Sequence, residues 1–86
     1  MEITVNGRLE EVNTTSLTYA DVVRIVFADD PKRAEWYLET QGAVLTIVYD
    51  TPRDSEGRHR DGSLTIGGTV RIEEGMRFTG MNTGNA

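Results

Sequence analysis

Side chains that could carry out catalysis are scarce in this sequence of 86 residues. The chain has no cysteine, so it has no thiolate nucleophile, no disulfide and no thiolate metal ligand. The one histidine, His59, lies in the polar stretch 52–62, which offers few partners for a metal site or a Ser-His-Asp arrangement. We therefore predict that His59 is a solvated loop residue, that the protein is not an enzyme, and that it needs no metal and no cofactor.

The amines of the chain are the other groups that could take part in a reaction. Lys32 is the only lysine, so an amide bond to a lysine side chain could form at one position only, and Lys32 is the candidate acceptor. The alternative interpretation is that the eight arginines simply replace lysines on the surface, since the choice between these two cations is only partly functional.

Charge and size restrict the partners. The formal net charge is −5 and the isoelectric point is about 4.7, which argues against nucleic acid or an anionic membrane as the main partner. The length fits one domain, because two separate cores would each be too small to fold unaided. No targeting segment and no apolar run long enough to span a bilayer is evident, so we expect a cytoplasmic protein.

The first part of the chain predicts a hairpin followed by a helix. Residues 2–6 alternate between apolar and polar, Asn6-Gly7 fits a tight type I′ turn, and residues 8–12 return as a second strand. Thr18 and Asp21 have the spacing of a capping box, so a helix should begin at about Tyr19. Its apolar residues recur with helical spacing until the Asp-Asp-Pro sequence ends it at 29–31.

The second part predicts strands. Residues 32–41 are ambiguous between a helical turn and a strand, and we leave them unassigned. Residues 43–49 are the most β-prone segment and should form the central strand, whereas 52–62 should be a mobile polar loop. Further strands are predicted at 69–72 and 76–79, joined by a turn.

The predicted order β-β-α-β-β-β is that of an α+β fold called the β-grasp, in which a mixed sheet packs on one short amphipathic helix. This order resembles that of ubiquitin-like proteins. The domain should cover residues 1–79. Residues 80–86 are small, polar and rich in glycine, which favours a flexible C-terminal tail.

Several segments together resemble the bacterial multi-ubiquitin-domain family of ubiquitin-like proteins. The segments that carry the resemblance are ITVNGR at 3–8, LTYADVV at 17–23, LTIVY at 45–49, GSL at 62–64 and GGTVRIEEGMRF at 67–78. No one of these motifs is specific, but the ordered set with the Gly-Met-x-Phe ending is moderately so. The resemblance extends over nearly the whole chain except about residues 29–42 and the polar loop.

This resemblance implies a protein modifier, in some members linked to antiphage defence. A processing peptidase would expose a C-terminal glycine, an activating enzyme would adenylate it with ATP, and a conjugating enzyme would help join it to target proteins by an isopeptide bond. On this basis the conjugation terminus is Gly84, with Gly80 as the rival, and Met81, Asn82 and Thr83 form the tail that the activating enzyme binds. The chain lacks the Gly-Gly ending of eukaryotic relatives, which leaves the use of a thioester relay open.

Two other functions are compatible with the same fold. One is a sulfur carrier with a thiocarboxylate terminus, although such carriers end in Gly-Gly. The other is a non-covalent adaptor or self-assembling module, in which sheet edges and the aromatic residues Trp36 and Tyr37 would make the contacts. We expect at least one of these aromatics to lie in or beside the core, and an exposed apolar patch could include Leu9, Val44 and Val70.

Overall fold

The computed structural model describes residues 1–40 and 45–82. Within these ranges the strands and helices, in chain order, are β1 (Glu2–Val5), β2 (Arg8–Glu11), β3 (Ser16–Thr18), α1 (Tyr19–Val26), α2 (Pro31–Glu39), β4 (Leu45–Asp50), β5 (Asp61–Leu64), β6 (Thr69–Arg71) and β7 (Arg77–Asn82).

Five strands form one mixed sheet in the order β2-β1-β7-β4-β5. The pair β1 and β7 is parallel and the other neighbours are antiparallel. The remaining strands, β3 and β6, form a separate two-stranded sheet. This arrangement confirms the α+β class and is consistent with the β-grasp fold.

The position of the central strand differs from the prediction. The last strand, β7, occupies the middle of the sheet, and β4 lies between β7 and β5. The apolar character of 43–49 predicts an interior strand, and β4 is one, because it has a neighbouring strand on each side. It does not predict which of the interior strands is the middle one. Ala43 and Val44 belong to that predicted segment and lie outside the described residues.

Helix α1 begins as its capping signal predicts. The Thr18 hydroxyl accepts a hydrogen bond from the Asp21 backbone N–H at 3.1 Å, and the Asp21 carboxylate accepts one from the Thr18 N–H at 3.0 Å. The helix buries Tyr19, Val22 and Val23 against the sheet. Four β-branched residues give it poor intrinsic helix propensity, so this burial must supply most of its stability.

A second helix, α2, occupies most of the segment that we left unassigned. Asp30 caps it by accepting from the Arg33 N–H at 3.2 Å, and Pro31 occupies its first turn. The same Asp-Asp-Pro sequence therefore ends one helix and starts the next. Helix α2 packs on α1 through Tyr37, whose ring stacks on that of Phe27 with centroids 5.1 Å apart.

The core lies between the sheet and the helices. Its largest fully buried side chains are Phe78, Ile3, Ile47, Met76, Val5, Val22 and Val23. These come from β1, α1, β4, β7 and the turn before β7, so no two neighbouring elements could form this core alone.

Tyr19 connects helix α1 to the start of β4. Its buried hydroxyl donates to the Leu45 carbonyl at 2.7 Å and accepts from the Leu45 N–H at 3.1 Å. Tyr19→Phe should lower the free energy of unfolding by about 1–3 kcal/mol, because two buried backbone groups lose their partner. Urea unfolding measures this loss.

Tyr37→Phe is the matched control for that experiment. The Tyr37 ring is buried, but its hydroxyl makes no hydrogen bond with any described residue. This variant should be nearly as stable as the wild type. Equal losses in the two variants would show that the Tyr19 hydroxyl has no special role.

Candidate functional site

The end of β7 is the first part of the candidate site. The strand runs to Asn82, three residues past the predicted end at Thr79. Its last three residues pair with β4 in the register Gly80↔Ile47, Met81↔Thr46 and Asn82↔Leu45. The prediction of a flexible tail from residue 80 is therefore wrong for 80–82, because pairing with β4 outweighs the weak strand propensity of Gly-Met-Asn.

Asn6 forms hydrogen bonds with β7 on the side of that strand that faces β1. Strand β1 itself reaches only as far as Phe78, and the Asn6 N–H donates to the Phe78 carbonyl at 2.9 Å. Next, the Gly80 N–H donates to Asn6 Oδ1 at 2.8 Å, and Asn6 Nδ2 lies 3.5 Å from the Gly80 carbonyl oxygen. The hairpin turn, in which Asn6 has a φ of 51°, thus extends the hydrogen bonding of β7 on this side from Phe78 to Gly80.

Gly80 has a packing role within the sheet. A Cβ atom at this position would lie 3.2 Å from Val26 Cγ2 and 3.3 Å from Leu45 Cδ2. The end of α1 can therefore approach β7 closely only because residue 80 has no side chain. The predicted rival terminus is a structural glycine inside the sheet.

The preferred terminus, Gly84, and its neighbour Thr83 lie outside the described residues. Of the predicted tail, Met81 is half-exposed and projects from the sheet. The last described residue of β7 is Asn82, and Gly84 follows two residues later in the sequence.

The solvent face of the sheet is the second part of the site. Alternation along the strands sends Ile47 and Phe78 to the core and their neighbours to the opposite face. The register of the pairs places on that face the uncharged residues Thr4, Leu9, Thr46, Val48, Ser63, Thr79 and Met81, together with the charged residues Asp50, Asp61 and Arg77. Among them Leu9 is 65% exposed, Met81 50% and Val48 36%.

This sheet face differs from the predicted patch of Leu9, Val44 and Val70. Leu9 belongs to it, but Val70 is buried opposite Leu17 in the two-stranded sheet, and Val44 lies outside the described residues. Val48 and Met81 were missed, because the face of a residue depends on strand register, which the sequence did not fix.

Comparison with known proteins settles the family. The Multiubiquitin family model matches residues 1–83. The chain belongs to the Multiubiquitin family. No curated protein and no solved structure matches it. A Multiubiquitin domain is ubiquitin-like, in agreement with the β-grasp sheet, and ubiquitin-like domains are typically non-enzymatic modules.

Helix α2 of this Multiubiquitin domain presents Lys32 and Trp36 to solvent. Lys32 is exposed, as an acceptor amine must be, and Trp36 is 42% exposed. Tyr37 is buried, which confirms the expectation that at least one of the two adjacent aromatics is a core residue. Its ring meets the Trp36 ring edge to face at a centroid distance of 5.0 Å.

A polar cluster at the other end of the sheet was missed. Asp50 Oδ1 lies 2.8 Å from His59 Nδ1, and Asp50 Oδ2 accepts from Arg77 Nη2 at 2.8 Å. His59 lies in the predicted loop, but it is hydrogen-bonded and not simply solvated. The sequence places these residues far apart, and the pairing of β4 with β7 brings Asp50 and Arg77 together.

Two arginines in the loop before β5, Arg58 and Arg60, form ion pairs with carboxylates. Arg58 forms ion pairs with Asp54 at 3.3 Å and Glu56 at 2.9 Å, and Arg60 pairs with Glu73 at 3.2 Å. No cluster of potential metal ligands occurs in 1–40 and 45–82. None of the helices that the structure describes is long and apolar enough to cross a membrane.

The Asp50 cluster predicts a pH dependence of stability. The hydrogen bond from Arg77, and then that from His59, lowers the pKa of Asp50 below its ordinary value of 3.8. A lowered pKa in the folded state stabilises the protein above the unfolded-state pKa, and this contribution is lost as the pH falls through the folded-state pKa. Asp50→Asn should therefore reduce stability at neutral pH and flatten its decline below about pH 4.

Urea midpoints measured between neutral pH and pH 2 test this prediction. Asp61→Asn is the matched control, because Asp61 lies opposite Asp50 on β5 but forms no ion pair with a described residue. If the urea midpoint of Asp50→Asn fell as steeply with decreasing pH as that of the wild type, this pH dependence could not be assigned to Asp50.

Proposed function

We propose that this Multiubiquitin domain is a bacterial protein modifier that is processed after Gly84. The new carboxylate would attack the α-phosphate of ATP on an activating enzyme, releasing pyrophosphate and leaving an acyl adenylate. A target amine would then take the acyl group, and AMP would leave, either directly or after transfer through a conjugating enzyme. Family membership supports this function, because it places the chain among ubiquitin-like domains.

One structural observation carries the choice of Gly84. Strand β7 is the middle strand of the sheet and is paired as far as Asn82. Cleavage after Gly80 would remove two paired residues and leave the terminus between α1 and β4. Cleavage after Gly84 leaves the strand intact and places a residue without Cβ at the end, where close approach to a nucleotide favours glycine.

The same geometry implies a movement during activation. Two residues extend at most about 7 Å, so Thr83 and Gly84 alone give a short reach from the sheet. On the side of β7 away from β4, no described residue pairs with the strand beyond Gly80. We infer that Met81 and Asn82 detach from β4 when an activating enzyme draws the terminus towards its nucleotide.

The solvent face of the sheet favours a second candidate, a non-covalent adaptor. Leu9, Val48 and Met81 expose apolar surface on this face, which they share with the charged residues Asp50 and Arg77. In a modifier this face would bind the activating and conjugating enzymes. In an adaptor the same contacts would bind a partner protein, and the C-terminal residues would have no chemical role.

Intact-protein mass spectrometry separates these functions. The chain is co-expressed with the proteins encoded beside its gene, including any activating enzyme and peptidase. A species that lacks residues 85 and 86, with larger adducts joined through Gly84, supports the modifier. A thiocarboxylate terminus would indicate a sulfur carrier, and an unchanged mass without adducts would favour the adaptor.

A further inference from the structure

The two edges of the five-stranded sheet differ in their protection. Strand β2 has three charged residues among its four, and the Arg8 and Glu10 side chains form an ion pair at 2.9 Å. Such charges prevent a further strand from adding to an edge. Strand β5 has the sequence Asp-Gly-Ser-Leu, with a single charge at its start. On the side away from β4 it makes no backbone hydrogen bond with any residue in 1–40 or 45–82.

An apolar groove is lined by the end of β5, the residues that follow it, the start of β4 and the first residue of α1. It has a volume of about 340 Å³, and the side chains that give it its apolar character are Tyr19, Leu45, Ile47, Leu64 and Ile66. Ile66 follows the strand and is 67% exposed, more than any other large apolar side chain of the described residues. A side chain that entered the groove would bury the Ile66 surface now in contact with water.

The carboxylate of Asp61 lies at the other end of β5. Asp61 lies opposite Asp50 across the strand pair, and the Asp50 carboxylate already binds His59 and Arg77. The Asp61 carboxylate forms no hydrogen bond or ion pair with another described residue. A cation on an added strand would complement it and would offset the repulsion between the two carboxylates.

We propose that the free edge of β5 binds an extended peptide in the antiparallel direction, with an apolar residue in the groove and a basic residue three positions later. The apolar side chain lies opposite Leu64 on the core face. The basic side chain lies opposite Asp61 on the solvent face, because an odd separation along a strand reverses the direction of the side chain. Main-chain hydrogen bonds supply affinity and these two side chains supply selectivity. The proposal does not depend on conjugation through Gly84.

The peptide acetyl-Thr-Ile-Thr-Thr-Arg-Thr-amide is a direct probe. Titration into the isotope-labelled protein should shift the amide resonances of 61–66 and 45–47, and leave those of β2 unchanged. Replacing the peptide isoleucine by aspartate should abolish these shifts, because a charged group would enter an apolar groove. Replacing the peptide arginine by glutamate should weaken binding by about threefold to fivefold, the effect of an exposed ion pair.

Variants of the protein assign the two contacts. Ile66→Ser should weaken binding about tenfold, as expected for loss of a large apolar contact. Leu9→Ser is the matched control, since Leu9 is equally exposed but lies on the opposite edge strand. Asp61→Lys should reverse the preference, so that the glutamate peptide binds more tightly than the arginine peptide. Circular dichroism of each variant checks that it is folded.

Three outcomes would overturn the proposal. The first is absence of shifts up to the solubility limit of the peptide. The second is a set of shifts confined to β2 or to the solvent face of the sheet. The third is equal binding of the arginine and glutamate peptides by both the wild type and Asp61→Lys, which would show that Asp61 does not select the ligand.

Discussion

Gly80→Val should lower the free energy of unfolding by about 1–3 kcal/mol, the usual effect of forcing extra carbon atoms into a packed interior. The first added atom alone would lie 3.2 Å from Val26 Cγ2 and 3.3 Å from Leu45 Cδ2. The two further methyl groups of valine would add to this crowding by the end of α1 and β4. Chemical unfolding with urea, followed by circular dichroism, measures the loss.

Thr79→Val provides the matched control. It introduces the same side chain one residue earlier in β7, where the position is exposed on the solvent face. A β-branched apolar residue is well tolerated there, so stability should change by less than about 0.5 kcal/mol. If Gly80→Val were as stable as Thr79→Val, the close approach of α1 to β7 would not require glycine at residue 80.

Gly84→Val should abolish conjugation while leaving stability unchanged, if the proposed modifier function is correct. A branched side chain at the terminus restricts the backbone and prevents the close approach that adenylation requires. The measurement is adduct formation with the activating enzyme, ATP and a target amine, followed by gel electrophoresis and mass spectrometry. Thermal unfolding of the same variant should match that of the wild type.

The controls distinguish activation from processing. A chain that ends at Gly84 bypasses the peptidase, and it should form adducts without that enzyme. The same shortened chain with valine at 84 should not. Normal conjugation by Gly84→Val would place the reactive terminus elsewhere, and loss of both conjugation and stability would point to an unanticipated structural role of this glycine.

Local signals were enough to predict the first hairpin and α1. A type I′ turn needs two residues that tolerate a positive φ, and Asn6-Gly7 provides them with φ values of 51° and 80°. The capping box of Thr18 and Asp21 likewise acts within four residues. Both elements are determined by interactions between residues close together in the chain, so the sequence is a sufficient guide.

Helix α2 was missed although its signals were present. Asp30 and Pro31 were interpreted only as the end of α1, but an acidic cap followed by proline is equally a typical start. Ala34 and Tyr37 are the buried residues of this helix, a spacing of one helical turn. A search for start signals after each stop would have identified it.

The candidate site was harder to predict from the sequence than the fold was, because it depends more on contacts between residues distant in the chain. The sequence of 80–82 has weak strand propensity, and only its pairing with β4 and the Asn6 side chain makes it part of the sheet. In the same way, Val48 and Met81 share a face with Leu9 because of strand register, and the Asp50, His59 and Arg77 cluster assembles across three separate segments.

By itself, the sequence determined the α+β class, the hairpin, the start of α1 and the scarcity of catalytic side chains, because composition and short-range hydrogen bonding control these properties. Tertiary structure decided that β7 is the central strand, that Gly80 is a packing residue, and that the edge at β5 is less protected by charge than the edge at β2. Those properties depend on contacts between residues distant in the chain, whose partners become defined only when the strands are in register.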